Sequence, residues 1–466
     1  MKYRLSELEV PPENPFQNDA LERKPVVEFL ASLIARLEGP FVLALDSPWG
    51  TGKTTIVKML KAKLAQEQFQ CVYFNAWQVD YVTDPLVALV SAIDDIHLLD
   101  SAAESVFRGH LETAKKITSA VAKRAVVAGV KAATLGILDI EEELKKMAAD
   151  TAGEMAGNLV DAFQKEKASL EKFRQEVEQA VEQLKTAGKK ETLVFFVDEL
   201  DRCRPTFAIE MLERIKHLFD VPNIIFVLSI DKSQLEASTA AVYGERINAP
   251  EYLRRFIDIE YALPIPKGKK FTEALFARFM LDDMFAKRTH DELRYDRQQF
   301  IEFFTLIAEA TQLTLRARER CMTRLVVVMD QTPENNFLFP SLVALLIVLR
   351  TCKPDLFTAL RSGSATAADV MAYLKQLPGG NEIVAGRSGV IMEIGLLLAD
   401  ENRERKQQAL AELRNAVEVE KSNQAPGRAS DLLDMVRYFQ SFNSDGPRLG
   451  YLLNKIDLTS GLQNES

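Results

Sequence analysis

Cysteine and histidine are scarce in this chain of 466 residues, which contains only four of each. The cysteines form no C-x-x-C pair and the histidines are scattered, so the sequence has no spacing typical of a zinc site or of a disulfide framework. We therefore expect buried free thiols and a reducing, cytoplasmic environment for this chain.

Long uncharged apolar runs and an excess of positive charge are missing as well. The N-terminus lacks the apolar core of a signal peptide, and no run is long enough for a transmembrane segment. In the Ala- and Val-rich stretch Ser119–Leu138, the charges of Lys123, Arg124 and Lys131 make insertion into a bilayer unfavourable. We expect this stretch to pack against other helices, with binding to a membrane interface as the alternative. The net charge of −9 provides no general attraction to nucleic acid.

The chain does contain enough apolar material, 47% hydrophobic residues, for two or three structural units. Its most informative stretch begins with the short apolar run Phe41–Leu45, continues with the loop Asp46–Gly52 and then shows the apolar spacing of a helix. This order predicts a phosphate-binding loop, because backbone amides and a helix N-terminus can surround an anion. We expect Lys53 to reach the outer phosphates and Thr54 to ligate magnesium. The predicted nucleotide-binding residues are Trp49, Gly50, Thr51, Gly52, Lys53, Thr54 and Thr55.

One residue of this loop departs from the usual pattern G-x-x-x-x-G-K-[ST]. Where that pattern has its first glycine this chain has Ser47, and serine must then adopt whatever backbone angles the turn requires. The alternative interpretation is an ordinary glycine-rich turn before a helix. The segment Gly52–Thr55, in its strand-to-helix context, favours phosphate binding.

A second apolar run, Leu193–Val197, ends in Asp198 and Glu199. Such a run predicts a central parallel strand, and acids at its carboxyl end lie where ligands bind. We expect Asp198 to hold magnesium through water and Glu199 to polarise the attacking water as a general base. The alternative is a pair of solvated acids that cap the next helix.

Three segments in chain order resemble one known family. Trp49–Thr54, Phe74–Trp77 and Val197–Cys203 read W-G-T-G-K-T, F-N-A-W and V-D-E-L-D-R-C, and together they resemble the KAP family of P-loop NTPases over roughly residues 15–360. The resemblance implies a parallel αβα sheet, ATP with Mg²⁺ as ligands, and a large insertion between the two nucleotide motifs. It also implies a relation to bacterial factors that exclude phage.

Several arginines are candidates for contact with the γ-phosphate, and a structural role is the alternative for each. Arg202 could stabilise transition-state charge or pair with Asp198 or with the aspartate that precedes it in sequence. Arg254 or Arg255 could act on a neighbouring subunit, whereas a surface ion pair is the commoner use of such residues. In the helical lid that the resemblance implies, Arg316 is the first candidate for the sensing arginine.

Arg318 is the second candidate in the lid, and pairing with neighbouring acids is the alternative for both lid arginines.

The rest of the sequence predicts helices. Amphipathic spacing from Leu159 to Leu184 predicts one long helix that ends at Gly188 and packs within the chain or against a second copy. The fold class is therefore α/β: a P-loop NTPase parallel sheet of the AAA/STAND-like αβα type, with a large helical insertion and a C-terminal all-helical lid and tail. The predicted segments are the lead-in with the first part of the core (1–95), the insertion (96–190), the second part of the core (191–265), the lid (266–375) and the C-terminal region (376–466).

The function that this reasoning predicts is Mg²⁺-dependent binding and hydrolysis of ATP, and the resemblance implies a regulatory role in bacterial defence against phage. The alternatives are a nucleotide-gated interaction scaffold with little turnover and a DNA-directed motor. We expect a protein partner to bind the helical insertion or the C-terminal region, and a homo-oligomer is compatible with the sequence. The expected catalytic residues are Glu199, Lys53, Arg316 and Arg254, and the expected metal ligands are Thr54 and Asp198.

Overall fold

The computed structural model describes residues 8–37, 39–82, 84–93, 96–98, 101–127, 154–264, 268–334, 336, 338–422, 427–441 and 448–457. They belong to two compact units, Leu8–Ile265 and Pro266–Ser466. Most of the Ala- and Val-rich stretch Ser119–Leu138 lies outside the described residues, so the expectation of helix packing there stays a prediction.

The first unit is built on a five-stranded parallel sheet with the strand order β2-β3-β4-β1-β5. The strands are β1 (Phe41–Asp46), β2 (Gln70–Asn75), β3 (Leu193–Asp198), β4 (Ile224–Ile230) and β5 (Ile259–Ala262). Every residue of β3 and β4 is buried, because both strands are central and are covered on both faces. This sheet, with its helices, confirms the predicted α/β P-loop fold.

The helices of this unit are α1 (Lys24–Ile34), α2 (Lys53–Gln66), α3 (Pro85–Ile93), α4 (Ser101–Val127), α5 (Glu154–Thr186), α6 (Pro205–Leu218), α7 (Lys232–Tyr243) and α8 (Ala249–Leu253). Successive strand residues point to opposite faces of the sheet. Leu43 and Phe196 therefore share one buried core with α1 and α2, while Val42 and Phe195 share the other with α3 to α7.

The insertion between β2 and β3 contributes α4 and the long helix α5, which pack against each other. Phe107 of α4 and Phe173 of α5 are buried in the same core, and the Phe173 ring meets that of Phe219 edge-on at a centroid distance of 5.6 Å. The residues of the predicted apolar stripe thus lie on a single helix. Those of them whose side chains are described pack against other parts of the same chain. Gly188 follows with a φ of 74°, a backbone conformation that glycine adopts without steric cost.

The second unit is helical throughout its described residues. Its helices are α9 (Lys270–Phe279), α10 (Leu281–Ala286), α11 (Asp296–Ala310), α12 (Leu315–Asp330), α13 (Pro340–Cys352), α14 (Pro354–Ser362), α15 (Ala367–Gln376), α16 (Gly380–Ala385), α17 (Arg387–Ala399), α18 (Arg403–Ser422), α19 (Arg428–Ser441) and α20 (Leu449–Ile456). The centre of its core is α13, whose residues Leu342–Leu349 are all buried. Among the described helices of both units, none combines the length and the apolar character needed to cross a bilayer.

Candidate functional site

The segments that carry polar candidates meet at one edge of the sheet. Parallel strands present their carboxyl ends on the same side, and the register places Asn75 beside Asp198 and Asp198 beside Ser229. On the other side of Ser229 stands Leu45, one residue before the end of β1. The loop after β1 and the acids after β3 therefore lie at the same edge, separated by the single strand β4.

The loop after β1 is held in shape by glycine conformations and by hydroxyl groups. Gly50 and Gly52 have φ values of 77° and 89°, which turn the backbone before α2 begins. The Ser47 hydroxyl donates to Thr51 Oγ1 at 2.7 Å, and the Thr51 hydroxyl donates to the carbonyl oxygen of Pro48 at 2.8 Å. Ser47 is buried and has no positive φ, so this position requires no glycine, and the serine instead links the two ends of the loop.

Lys53, the first residue of α2, folds back over this loop. Its ammonium donates to the carbonyl oxygen of Ser47 and, at 3.3 Å, to that of Pro48. Burial lowers the pKa of Lys53, while the nearby carboxylates of Asp201, Asp231, Asp198 and Asp46 act in the opposite direction. Thr54 and Thr55 are half-buried in the first turn of the same helix.

Asp198 ends β3 with its carboxylate oriented by two donors. The Tyr73 hydroxyl donates to Oδ2 at 3.0 Å, and the backbone amide of Glu199 donates to Oδ1 at 3.0 Å. Only 1% of Asp198 is exposed. Tyr73 was not among the predicted site residues, although its position two residues before Asn75 places it on the same face of β2.

Glu199 has the left-handed conformation, with φ 61° and ψ 25°, and its carboxylate is doubly engaged. Oε1 forms an ion pair with Arg202 Nη1 at 2.6 Å, and Oε2 accepts from Asn75 Nδ2 at 3.0 Å. The Arg202 guanidinium also lies 5.7 Å from the centroid of the Trp77 ring. The turn at Glu199 brings this carboxylate to Arg202, so the ion pair that the structure shows for Arg202 is with Glu199 and not with Asp198 or Asp201, the two acids considered as its alternative partners.

Asp201 connects the acid-bearing segment with the phosphate loop. Its Oδ2 accepts from the Trp49 indole Nε1 and, at 3.0 Å, from the backbone amide of Asp231. Burial raises the pKa of Asp201, and the charge of Lys53 and the Trp49 hydrogen bond oppose that shift. Trp49 therefore contacts the acids through its indole, while 43% of the residue stays exposed.

The donor set fits a magnesium ion bound together with phosphate. In the part of the chain that the structure describes, no three His, Cys, Asp or Glu side chains come together as a metal cage. Mg²⁺ usually needs only one or two protein oxygens, because phosphates and waters supply the others. A hydroxyl at Thr54 and a buried, oriented carboxylate at Asp198 are ligands of that kind.

The remaining candidate arginines have different surroundings. Arg254 pairs with Glu251 at 3.0 Å and both side chains are mostly exposed, while Arg255 lies over the ring of Tyr252. The lid candidates belong to the second unit, where Arg316 is exposed at the start of α12. Arg318 is buried and donates through Nε to the carbonyl oxygen of Leu313 at 3.2 Å.

The sheet order, the loop after its first strand and the acids after its third define the class of this protein, the P-loop NTPases, which bind nucleoside triphosphates. Within that class, the profile described as "KAP family P-loop domain" matches residues 23–331, well over half of the chain. The chain belongs to the KAP family, and the resemblance seen in the sequence is confirmed. No curated protein matches the chain.

Proposed function

We propose that this chain binds ATP with Mg²⁺ at the edge formed by β1, β3 and β4 and hydrolyses it. The observation that supports this most is the strand register, which brings the loop after β1, followed by Lys53, and the acids at the end of β3 to one edge of the sheet. The charges of Asp46, Asp198, Asp201 and Asp231 also act on Lys53. A lysine at the start of a helix binds outer phosphates, and acids on the opposite side of it suit a metal and a water.

Each residue has a definite role in the proposed reaction. Amides of the loop around Gly50 and the ammonium of Lys53 bind the β- and γ-phosphates, while Thr54 and Asp198 are the magnesium ligands. The bound cation would neutralise the charge that develops on the phosphate oxygens. Glu199 accepts a proton from water as that water attacks in line with the leaving oxygen.

The binding part of the proposal is tested with Lys53→Ala and the matched control Lys61→Ala on the same helix. We expect binding of labelled ATP with Mg²⁺ to be lost in Lys53→Ala and retained in Lys61→Ala. Equal uptake of ATP by Lys53→Ala and the unchanged chain would show that ATP does not bind at this loop.

The hydrolysis part is tested with Glu199→Gln, which keeps the shape of the side chain and removes its basicity. We expect turnover to fall by about 10²-fold or more, in the range usual for loss of a general base, while ATP stays bound. A second candidate function, a nucleotide-gated scaffold with little turnover, is favoured by the engagement of Glu199 with Arg202 and Asn75. That function predicts low phosphate release in the unchanged chain and almost no difference in Glu199→Gln.

For the biological role we propose a regulatory ATPase of a bacterial defence against phage, in which nucleotide occupancy controls a partner. Membership of the KAP family supports this role, and the insertion or the C-terminal helices are the proposed partner surface. The test is the plating efficiency of phage on bacteria that express the chain or its Lys53→Ala variant. Protection that the variant retains would contradict a role for nucleotide, and an ATPase rate that rises with added DNA at low salt would favour a DNA-directed motor.

A further inference from the structure

Asp201 joins two loops through a single carboxylate oxygen. It belongs to the 3-10 turn Leu200–Arg202, directly after the proposed catalytic acids, and it is 6% exposed. Its Oδ2 accepts from the Trp49 indole of the phosphate loop and, at 3.0 Å, from the backbone amide of Asp231 after β4. We call these two hydrogen bonds the Asp201 clamp. A charged acceptor makes stronger hydrogen bonds than a neutral one, so this oxygen can hold both loops in place.

The base of the phosphate loop is attached elsewhere. The amide of Ser47 donates to the carbonyl oxygen of Ile230 at 3.1 Å, and the amide of Lys232 donates to Asp46 Oδ1 at 2.9 Å. These bonds connect the beginning of the loop to the end of β4. With the Asp201 clamp they complete a ring of contacts, from β1 to β4, on to the acid-bearing turn and back to the loop.

The clamp is therefore an attachment of the tip of the loop to the acid-bearing turn. Trp49 comes directly before Gly50, whose φ of 77° lies in the region that favours glycine. Since glycine restrains the backbone less than any other residue, the loop can pivot at Gly50 once the indole is released. Such a movement changes the distance between the loop amides and the acids Asp198 and Glu199.

That distance matters in the proposed mechanism, because the loop binds the phosphates while the acids bind the metal and the water. A displacement of about 1 Å in such an arrangement can lower the rate about 10²-fold. We propose that Asp201 is a positioning residue that acts through Trp49 and sets the separation between the phosphate loop and the acids after β3. This inference rests on the proposed function.

Loss of the clamp should affect turnover more than binding. The hydrogen bonds within the loop, from Ser47 to Thr51 and from Thr51 to Pro48, do not involve Asp201. The amides that bind phosphate therefore keep their arrangement when the carboxylate is removed. When an interaction that acts only in the transition state is lost, kcat falls and KM stays nearly constant.

The experiment compares Asp201→Ala, Asp201→Asn and Trp49→Phe, with Asp220→Ala as the control at an exposed aspartate. Asparagine keeps an oxygen that can accept both donors but has no charge, and phenylalanine keeps an aromatic ring but lacks the indole donor. Steady-state phosphate release gives kcat and KM. We expect Asp201→Ala and Trp49→Phe to lower kcat by about tenfold to 100-fold and to change KM by less than about threefold. Asp201→Asn should restore kcat to within about threefold of the unchanged chain, where Asp220→Ala should also remain.

Fluorescence provides a second measurement that requires no turnover. In a Trp77→Phe background Trp49 is the sole tryptophan. Acrylamide should quench its emission more strongly in Asp201→Ala, because the indole is released to solvent, and no more strongly in Asp201→Asn. Trp49→Phe breaks the same bond from a residue that is 43% exposed, so the kinetic test does not depend on how Asp201→Ala folds.

Three outcomes would overturn the inference. If Asp201→Asn is as slow as Asp201→Ala, the charge beside Lys53 is required and the hydrogen bonds are not. An unchanged kcat in Trp49→Phe would show that the indole bond does not position the loop, and equal quenching in all variants would show that the clamp does not hold Trp49. Failure of the proposed function is distinguishable, because the unchanged chain itself then binds no ATP or releases no phosphate, and the inference falls with it.

Discussion

The carboxylate of Glu199 is held on both oxygens, by Arg202 at 2.6 Å and by Asn75 at 3.0 Å. A general base must accept a hydrogen bond from the attacking water, and each partner that already occupies it competes with that water. In the proposed mechanism, these two contacts therefore restrain Glu199 as the base. Arg202 is in turn positioned by the face of the Trp77 ring.

Replacement of Arg202 by Met should increase basal ATP hydrolysis. Loss of a partly exposed ion pair of about 1 kcal/mol corresponds to about a fivefold rise in turnover if that pair must break before water is activated. The measurement is steady-state phosphate release, with Arg204→Met as the control in the same loop. A large fall in turnover instead would mean that Arg202 stabilises the transition state.

Ser47 gives a second prediction, because it is the residue that departs from the usual loop pattern. Ser47→Ala removes the bond to Thr51 and should lower the free energy of unfolding by about 1 kcal/mol. Ser47→Gly restores the pattern but also frees the backbone, so the expected loss is about 2 kcal/mol. Urea unfolding followed by tryptophan fluorescence measures both. A Ser47→Gly variant as stable as the unchanged chain would show that serine strains the loop.

The element most closely connected with the acids is β2 together with the turn that follows it. Tyr73 donates to Asp198, Asn75 donates to Glu199, and Trp77 lies beside Arg202. Tyr73 and Asn75 lie on the same face of β2, and Trp77 lies in the 3-10 turn Ala76–Val79 that follows the strand. The segment continues into α3 and the helical insertion, so it is the physical connection between the proposed catalytic acids and the proposed partner surface.

In the second unit, the connection between α10 and α11 carries a buried ion pair that makes stability depend on pH. Arg288 Nη2 lies 3.1 Å from Asp296 Oδ2, yet burial raises the pKa of Asp296 from 3.8 to about 6. The folded chain thus takes up this proton more readily than the unfolded chain. The contribution to stability is complete below about pH 4 and is lost as the pH rises through about 6.

An Asp296→Asn variant lacks this titration, and its stability should therefore not show that loss. We expect the difference in unfolding free energy, unchanged chain minus variant, to fall by about 2 kcal/mol between pH 4 and pH 7. Urea unfolding followed by far-ultraviolet circular dichroism provides the measurement, with Asp283→Asn as the control at an exposed acid. Parallel pH curves for the unchanged chain and Asp296→Asn would contradict the assignment.

At the level of the whole molecule, the chain has two units with separate hydrophobic cores. Both tryptophans of the sequence, Trp49 and Trp77, belong to the first unit, so tryptophan fluorescence reports on that unit. A ligand that binds only the folded state stabilises it by about 2.7 kcal/mol at 100 times its dissociation constant.

Saturating ATP with Mg²⁺ should therefore raise the midpoint of the fluorescence-detected transition by about 5–10 °C. Removal of Mg²⁺ with EDTA should reduce the rise, and Lys53→Ala should abolish it. Scanning calorimetry on the same samples shows whether a second transition moves as well, which would support a lid arginine in contact with the nucleotide. No shift in the unchanged chain would contradict nucleotide binding.

Much of the fold was predictable because its signals are local. A strand, a loop with two glycines and a helix occupy the short segment Phe41–Gln66, and the apolar run Leu193–Val197 identifies a central strand without reference to any other part of the chain. The long helix α5 followed in the same way from its apolar spacing. Hydrophobic periodicity is a property of residues that are close in sequence, so these elements needed no knowledge of the tertiary structure.

The partners of the site residues were not predictable in this way. Asn75 and Glu199 are separated by 124 positions, Trp49 and Asp201 by 152, and, outside the site, Arg23 at the start of α1 and Pro264 by 241. The order and register of the parallel strands, together with the packing of α1 on the sheet, bring them together. The sequence therefore determined which residues carry charge and where the strands end, whereas the sheet decided which side chains share a hydrogen bond, because strand register, and not chain distance, sets their separation.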